Sequence, residues 1–474
     1  MVSLRIDPLL LFVVVASLWC GGALWFSTND ITFQDALFMG VSVVTSTGLS
    51  PMDYTALPAS SQVVLLVAMI CGSNILLSAL PSVVMLATLN RRLKSPTQRD
   101  DRDIAQGRAE HERNVALLII GSCIVAWGLL LLIVMMALLT RFSVARSLFL
   151  SVSCVNNVGL SLSKTDFLEY RGDLILVAIF AVVMPLGNTL FPVVLRSLLV
   201  GIRSFFQLMI LRNDTRVCWR AWHLAADDLL RNPRLLCCHL FNSRDTLALV
   251  VMWCAITIVE FVMFIPEYNT SVFPAHGSIT SQMLLAFFQT VAVRTSGFAI
   301  FDITLFRAGH LAVWMIAMYV TAYPVVLTGS TRRSHLQGSP ELGSAATAGR
   351  DLVWVYVSVV VILFAQDRRI GTTQLDPSFF LRSCFECVSA FGNVGLSLPR
   401  SSGVVSFSSE LNLMSRLAIT VLMLAGKMRC LPSKFMVDVE AKDDTSEDEE
   451  LELFVASPVT RVQGFPLPPE PSVA

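Results

Sequence analysis

Four glycines of this chain share one setting. Gly48, Gly159, Gly297 and Gly395 each stand ten residues after a phenylalanine, namely Phe38, Phe149, Phe287 and Phe385, and each precede a large apolar residue, Leu49, Leu160, Phe298 or Leu396. Two positions before each glycine is a small polar side chain: Ser46, Asn157, Thr295 and Asn393. A fourfold repeat within one chain implies four similar units around a common feature. Each unit is a short apolar run ended by a glycine elbow, the pattern of a re-entrant helix followed by a few residues of extended backbone. The chemistry open to such segments is coordination by main-chain oxygen. Four of them converging on a pseudo-fourfold axis can replace the hydration shell of a monovalent cation with carbonyl groups. Glycine suits the elbow because a Cβ would oppose both the backbone angles and the close approach needed to aim those carbonyls inward. A single such glycine reads better as a turn or a helix contact; four in register, each at the same distance from a phenylalanine, reverse that preference. The polar residues two positions upstream have an alternative use in interhelical hydrogen bonds.

Elements able to hold such segments follow from composition. The 474 residues are 54% hydrophobic and 15% charged, with a mean hydropathy of +0.66. Soluble domains carry about a quarter charged residues, so the chain reads as an integral membrane protein in contact with lipid. A net charge of zero gives no field that would attract nucleic acid. The eleven cysteines are odd in number and lie mostly in apolar runs, which favours small buried side chains over a disulfide framework. Cys384 and Cys387 have zinc-like spacing but no second ligand pair accompanies them, so no metal is expected beyond the ion at the glycine loops.

Apolar runs long enough to span a bilayer fall near residues 9–26, 62–89, 114–139, 173–200, 246–265, 308–327, 352–366 and 411–425. The first could pass for a signal peptide, but removing it would strip the first glycine unit of its outer helix. The expected fold is an all-α integral membrane protein of four membrane–pore-loop–membrane repeats, with eight transmembrane helices and four re-entrant pore helices around a pseudo-fourfold ion pathway. The repeats are expected at residues 1–89, 114–202, 245–330 and 351–432. Between them lie basic connections at 90–113 and 203–244 and a linker at 331–350. Residues 433–474 form an acidic, then proline-rich tail whose composition implies disorder. Positive connections stay cytoplasmic, which puts both termini inside and has the re-entrant stretches enter from outside. Asn269, in an Asn-Thr-Ser sequon, then falls outside as a glycosylation candidate, whereas the sequon at Asn213 falls inside.

Several stretches resemble the Trk/Ktr/HKT superfamily of potassium and sodium transporters, over about residues 9–432. Thr45-Ser46-Thr47-Gly48-Leu49, Asn156-Asn157-Val158-Gly159-Leu160, Arg294-Thr295-Ser296-Gly297-Phe298 and the stretch from Ser389 through Asn393-Val394-Gly395 to Ser397 are similar to its four filter loops. Gly187-Asn188-Thr189-Leu190-Phe191-Pro192, Ala322-Tyr323-Pro324 and the stretch from Gly426 to Pro432 resemble motifs of the fungal and plant branch. The resemblance implies a homodimer with one pore per protomer. It also implies that residues 45–48, 156–159, 295–297 and 393–395 form the filter. The last motif usually reads GRHRGLP, so Lys427 stands where the family has an arginine facing the ion path, and is expected to act as an electrostatic barrier there. Tyr323 and Pro324 mark a candidate gate hinge, because proline removes a backbone donor and disfavours helix before it. Long hydrophilic insertions of fungal relatives are absent.

Uptake of potassium driven by membrane potential is therefore expected, in the plasma membrane, with an organelle membrane left open. A sodium or mixed sodium–potassium carrier of the same fold is the nearest alternative. A membrane enzyme lacks convergent catalytic groups: His223, His239, His276, His310 and His335 lie at or beyond span ends and His111 in a basic connection. A non-conducting regulatory protein would not need four intact glycines. No phosphate-binding loop of the GxxxxGK[ST] type is present, no cofactor is expected, and nothing marks a cytoplasmic regulatory subunit. Glu386, on the fourth pore helix, is expected to serve a donor near the filter rather than the ion; Glu260 is a second ionisable group at membrane depth without an assigned role.

Overall fold

A computed structural model describes residues 8–28, 31–92, 102–163, 166–212, 217–231, 237, 239–267, 272–273, 278–320, 342–370, 377–399 and 406–429. Among them, the regular structure is helical throughout.

The first unit shows the pattern. Helix α1 (Pro8–Ser27) is apolar on all sides, as a helix between lipid and core must be. Helix α2 (Phe33–Val44) starts at Thr32, whose hydroxyl accepts from the Asp35 amide, and packs against α1. After its glycine elbow comes a 3-10 turn (Tyr54–Ala56) capped by Asp53, then α3 (Ala59–Cys71) and α4 (Asn74–Arg92). The second unit has α5 (Arg102–Leu139), α6 (Val144–Val155), a 3-10 turn (Asp166–Tyr170), α7 (Leu174–Gly187) and α8 (Phe191–Leu211). Helix α9 (Val217–Arg231) follows. The third unit has α10 (Ser243–Val262), α11 (Ile279–Val293), a 3-10 turn (Ile303–Leu305) and α12 (Ala308–Val320). The fourth has α13 (Leu342–Ile370), α14 (Pro377–Gly392), a 3-10 turn (Phe407–Glu410) and α15 (Leu413–Arg429). Short helix, elbow and 3-10 turn therefore recur four times in the same order.

Several expected boundaries move. The spans expected at 62–89 and 173–200 are each broken. Helices Ala59–Cys71 and Asn74–Leu89 meet at 60°, and α7 and α8 are separated by a turn in which the Leu190 amide bonds the Pro185 carbonyl. Hydropathy passes over such a break because the residues in it are few. Pro192 in the first turn of α8 suits a new helix start. The connections expected at 90–113 and 203–244 are partly helical, since α5 begins at Arg102, α8 runs on to Leu211, and α9 packs on both. Ala225, Ala226 and Leu229 bury one face of α9. Its other side carries Asp227 to Arg203 at 3.1 Å and Asp228 to His111 at 3.2 Å. The expected seventh span, 352–366, is the apolar middle of the longer α13. Among the described residues, four helices are long and apolar enough to cross a membrane, or five if the bent pair α3–α4 counts as one.

Packing closes the units on one another. One buried cluster joins Met39, Val43 and Val44 of α2 to Phe149, Val152, Val158 and Leu160 of the second unit. Another joins Phe38, Val41 and Leu49 to Phe391, Leu422 and Met423 of the fourth. Phe167 stacks on Phe288, ring centroids 4.8 Å apart, between the second and third units. Helix α12 packs on α14 between the third and fourth. The phenylalanine ten before each glycine is buried at Phe38, Phe149 and Phe385, but Phe287 is only half-buried and its neighbour Phe288 fills the core place instead.

Candidate ion pathway

Each elbow starts where a short helix runs out of backbone partners. In three loops the chain turns by a left-handed residue: Ser46 at φ 59°, Asn157 at 54° and Asn393 at 51°. Asparagine tolerates this region better than most side chains. The following amides then reach back to the helix: Thr47 to the Ser42 carbonyl (2.8 Å), Val158 to Ser153 (3.0 Å) and Val394 to Ser389 (3.0 Å). The third loop differs. Thr295, β-branched, does not adopt positive φ, and the returning amide is that of Gly297, to the Ala292 carbonyl at 2.8 Å.

All four glycines have positive φ: 85° at Gly48, 78° at Gly159, 68° at Gly297 and 93° at Gly395. Their surroundings show what each glycine permits. A Cβ at Gly48 would fall under 3.0 Å from the carbonyl oxygen of Val158. At Gly159 it would meet Ser296 oxygen, at Gly297 Val394 oxygen and at Gly395 Thr47 oxygen, all equally close. Each oxygen belongs to the residue before the next unit's glycine, so the contacts run from first to second to third to fourth and back to the first. The four loops therefore form one closed ring of backbone. Gly48, Gly159 and Gly395 are partly exposed although their immediate neighbours are buried.

Side chains brace the ring from behind. Thr45 and Thr47 share a hydroxyl bond of 2.8 Å. Asn393 donates to the Thr47 hydroxyl (2.8 Å) and to the Met423 carbonyl (3.0 Å), which ties the fourth loop to the first. Asn156 donates to the Met69 carbonyl at 3.1 Å and accepts from the Trp127 indole at 2.9 Å. Ser296 donates to the Met184 sulfur, and Asn157 to the Val155 carbonyl at 3.4 Å. Glu386 takes up the role expected of it: it accepts from the Ser397 hydroxyl (2.6 Å) and from the amide (3.1 Å) and hydroxyl of Ser408, so it pins the stretch beyond the fourth glycine.

Lys427 is buried rather than extended to an interface. Its ammonium donates to the Gly72 carbonyl (2.7 Å), the Asn74 side chain (2.6 Å) and the Ser46 hydroxyl (3.1 Å). Asn74 in turn donates to Asn188 at 3.1 Å. Arg429, two residues on, pairs with Asp351 at 3.2 Å. Tyr323, Pro324 and Asn269 lie outside the described residues.

Sequence reasoning quoted Gly187 and Gly426 only as motif residues and passed over Gly72, so it missed the packing role that the three share. A Cβ at Gly72, Gly187 or Gly426 would fall under 3.0 Å from the carbonyl of Val44, Val155 or Phe391, the residue four before Gly48, Gly159 or Gly395. These glycines let the helix after the first, second and fourth loops approach the end of the short helix before it. Their signal was an isolated glycine late in an apolar run. Also missed were contacts between units: Arg171 donates to the Ile300 carbonyl (2.7 Å), Arg416 pairs with Asp35, and the Ser161 amide donates to the Tyr54 hydroxyl (3.3 Å).

A family-wide profile described as TrkH, cation transport protein, matches residues 7–352 and 346–448. The chain belongs to the TrkH cation transport family. This TrkH-family chain is 30% identical over 290 residues to a protein of Dictyostelium discoideum named as a potassium transport protein, a match over 60% of this chain and 40% of the relative. It is 27% identical over 301 residues to potassium transport protein 1 of Schizosaccharomyces pombe, over 60% of this chain and 34% of the relative. The matched stretch thus spans well under two thirds of these relatives. The crystal structure of the potassium transporter TrkH from Vibrio parahaemolyticus shares the fold, with a TM-score of 0.52 at 14% identity, over 92% of this chain and 86% of that one. Members of the TrkH family are ion transporters, and the apolar helices of this one make it a multi-pass membrane protein.

Proposed function

We propose that this TrkH-family chain takes up potassium through the ring of four glycine loops. The observation that carries the reading is the closed sequence of contacts from Gly48 to Val158, Gly159 to Ser296, Gly297 to Val394 and Gly395 to Thr47. A ring with main-chain oxygen at one level from all four units suits an ion stripped of water, and carbonyl number and spacing set which ion. Four glycines support potassium over sodium, because no loop carries a side chain that would displace a neighbouring carbonyl. An inside-negative potential supplies about 2.3 kcal/mol per charge per 100 mV, enough to drive entry without ATP.

In this reading the chain has eight spans, lies in the plasma membrane as a homodimer and keeps its basic connections inside. Cysteine labelling of α9 residues from outside would reverse that orientation. The chemistry is tested by Gly48→Ser. Its Cβ would push on the Val158 carbonyl, so potassium flux should fall much more than sodium flux, by about tenfold in permeability ratio, which is about 1.4 kcal/mol. Reversal potentials and uptake in paired sodium and potassium solutions, with surface expression measured, read this out. A wild-type ratio in Gly48→Ser would remove the first loop from the filter.

A further inference from the structure

The third loop is held differently from the other three. In the first and fourth, the left-handed residue before the filter is itself an anchor to the helix that follows: Ser46 donates to the Gly72 carbonyl (3.1 Å) and Asn393 to Met423 (3.0 Å). In the second, Asn157 donates to Val155 at the end of its own helix (3.4 Å) and its neighbour Asn156 reaches the Met69 carbonyl (3.1 Å). In the third, Thr295 has turned back on its own helix and donates to Val291 at 2.8 Å. The link from this loop to its outer helix is made one residue earlier. Arg294, the residue that ends α11, reaches α10, where its guanidinium donates to the Thr257 hydroxyl (2.9 Å) and the Trp253 carbonyl (3.2 Å). Glu260, one turn further along α10, places a carboxylate oxygen 3.7 Å from Arg294 Nε. Both side chains are buried, 2% and 1% exposed.

That spacing is an ion pair but too long for a hydrogen bond. Among the described residues, neither carboxylate oxygen of Glu260 accepts a hydrogen bond. A buried carboxylate with no hydrogen-bond donor is poorly placed to strengthen the fold. What it does is supply the field that keeps a guanidinium at membrane depth, fixed by its other donors to α10. We propose that the Glu260–Arg294 pair is the positioning device of the third filter loop, and through it sets how well the ring separates potassium from sodium. The proposal rests on the potassium-filter reading above. Glu260 touches no ion; it acts through Arg294, whose backbone leads directly into Thr295, Ser296 and Gly297. With the charge gone from residue 260, Arg294 is drawn toward water and the loop loses its lateral anchor. The Ser296 carbonyl, which abuts Gly159, and Gly297, which abuts the Val394 carbonyl, then lose their register.

The test uses the full chain in cells deficient in potassium uptake, with surface expression and reversal potentials measured in paired potassium and sodium solutions. Glu260→Gln keeps the shape and removes the charge; the potassium-to-sodium permeability ratio should fall by roughly two- to thirtyfold, the size that residues acting through another give. Glu260→Asp, which restores the charge, should recover part of it. Where Glu260→Gln fails to reach the surface, the double variant Glu260→Leu with Arg294→Met keeps the site filled and uncharged. Surface expression with a lowered ratio supports positioning, and surface expression with the wild-type ratio overturns it, leaving packing as the pair's role. Gly297→Ser separates the two levels. If it shifts the ratio while Glu260→Gln at normal expression does not, the positioning claim falls and the filter stands; if neither shifts it, the third loop is no part of a filter and both fall.

Discussion

The Lys427 ammonium, near the end of the last helix, lies 2.7 Å from the carbonyl oxygen of Gly72, at the break in the helix that follows the first glycine loop. The first and fourth units are thus joined by a positive charge directly behind Ser46. An ammonium held by a carbonyl, an amide oxygen and a hydroxyl is fixed in place, so any repulsion it exerts on a passing cation is constant. Lys427→Gln is expected to raise cation current or weaken rectification. A current–voltage curve indistinguishable from wild type at normal surface density would remove the barrier role. Lys427→Met leaves the Asn74 side-chain oxygen short of a donor, at about 1–3 kcal/mol, while Ser46 still donates to the Gly72 carbonyl, and should lower thermal stability in detergent more than Lys427→Gln does.

Arg171 makes a separate prediction at the opposite edge of the ring. It follows the 3-10 turn of the second unit and donates to the Ile300 carbonyl (2.7 Å) and the Val272 carbonyl (3.3 Å) of the third, with its guanidinium 4.8 Å from the Phe301 ring centroid. Arg171→Ala should cost about 1.5–3 kcal/mol per lost charged hydrogen bond. Arg171→Lys should retain less than half of that, because a point charge cannot serve both carbonyls and the ring as a planar fork does. Thermal melting in detergent measures both. Equal stability of Arg171→Ala and wild type would show that the second and third units do not need this bond.

Glu386→Gln tests the fourth loop. The carboxylate accepts from Ser397 and twice from Ser408. An amide in its place turns one acceptor into a donor that faces donors. Expected outcomes are poorer surface expression and a stability loss of about 1–3 kcal/mol, with Ser408→Ala milder because it removes one donor and leaves the others. If Glu386→Gln instead left stability unchanged and altered ion selectivity alone, the residue would belong to the ion path rather than to its support.

The parts of this molecule legible in the sequence are those imposed by backbone geometry. Gly48, Gly159, Gly297 and Gly395 announce themselves because no other residue fits a positive φ with a neighbouring carbonyl where the Cβ would be. Glu386 is expected to serve a nearby donor rather than the ion, and it accepts from Ser397 and Ser408. The breaks at Gly72 and after Gly187 were hidden because hydropathy averages over a turn and the flanking helices are apolar on both sides. Helix α9 was read as part of a basic connection: its arginines and its buried Ala225, Ala226 and Leu229 alternate at helical spacing, which charge counting does not see. Contacts such as Arg171 with Ile300, or Glu260 with Arg294, join residues far apart in the chain and have no local signature. Phe288 rather than Phe287 fills the core in the third unit, the same unit in which Thr295 avoids the left-handed region, and neither departure has a signal in the repeat pattern.

Because the ring of glycines and carbonyls is written into a single polypeptide, its four quarters are separate genetic loci. In an assembly of four identical subunits, one codon change alters every quarter at once, and an intermediate state is out of reach. Here a single codon change acts on one loop, which takes part in two of the ring's contacts, one through its glycine and one through its own carbonyl, and leaves the other two as they were. The third loop already shows the result, with its own turn and its own buried ion pair. In the proposed filter, selectivity can be adjusted in increments, and the unequal quarters would give a permeating ion a direction in the plane of the ring that a fourfold-symmetric pore does not have.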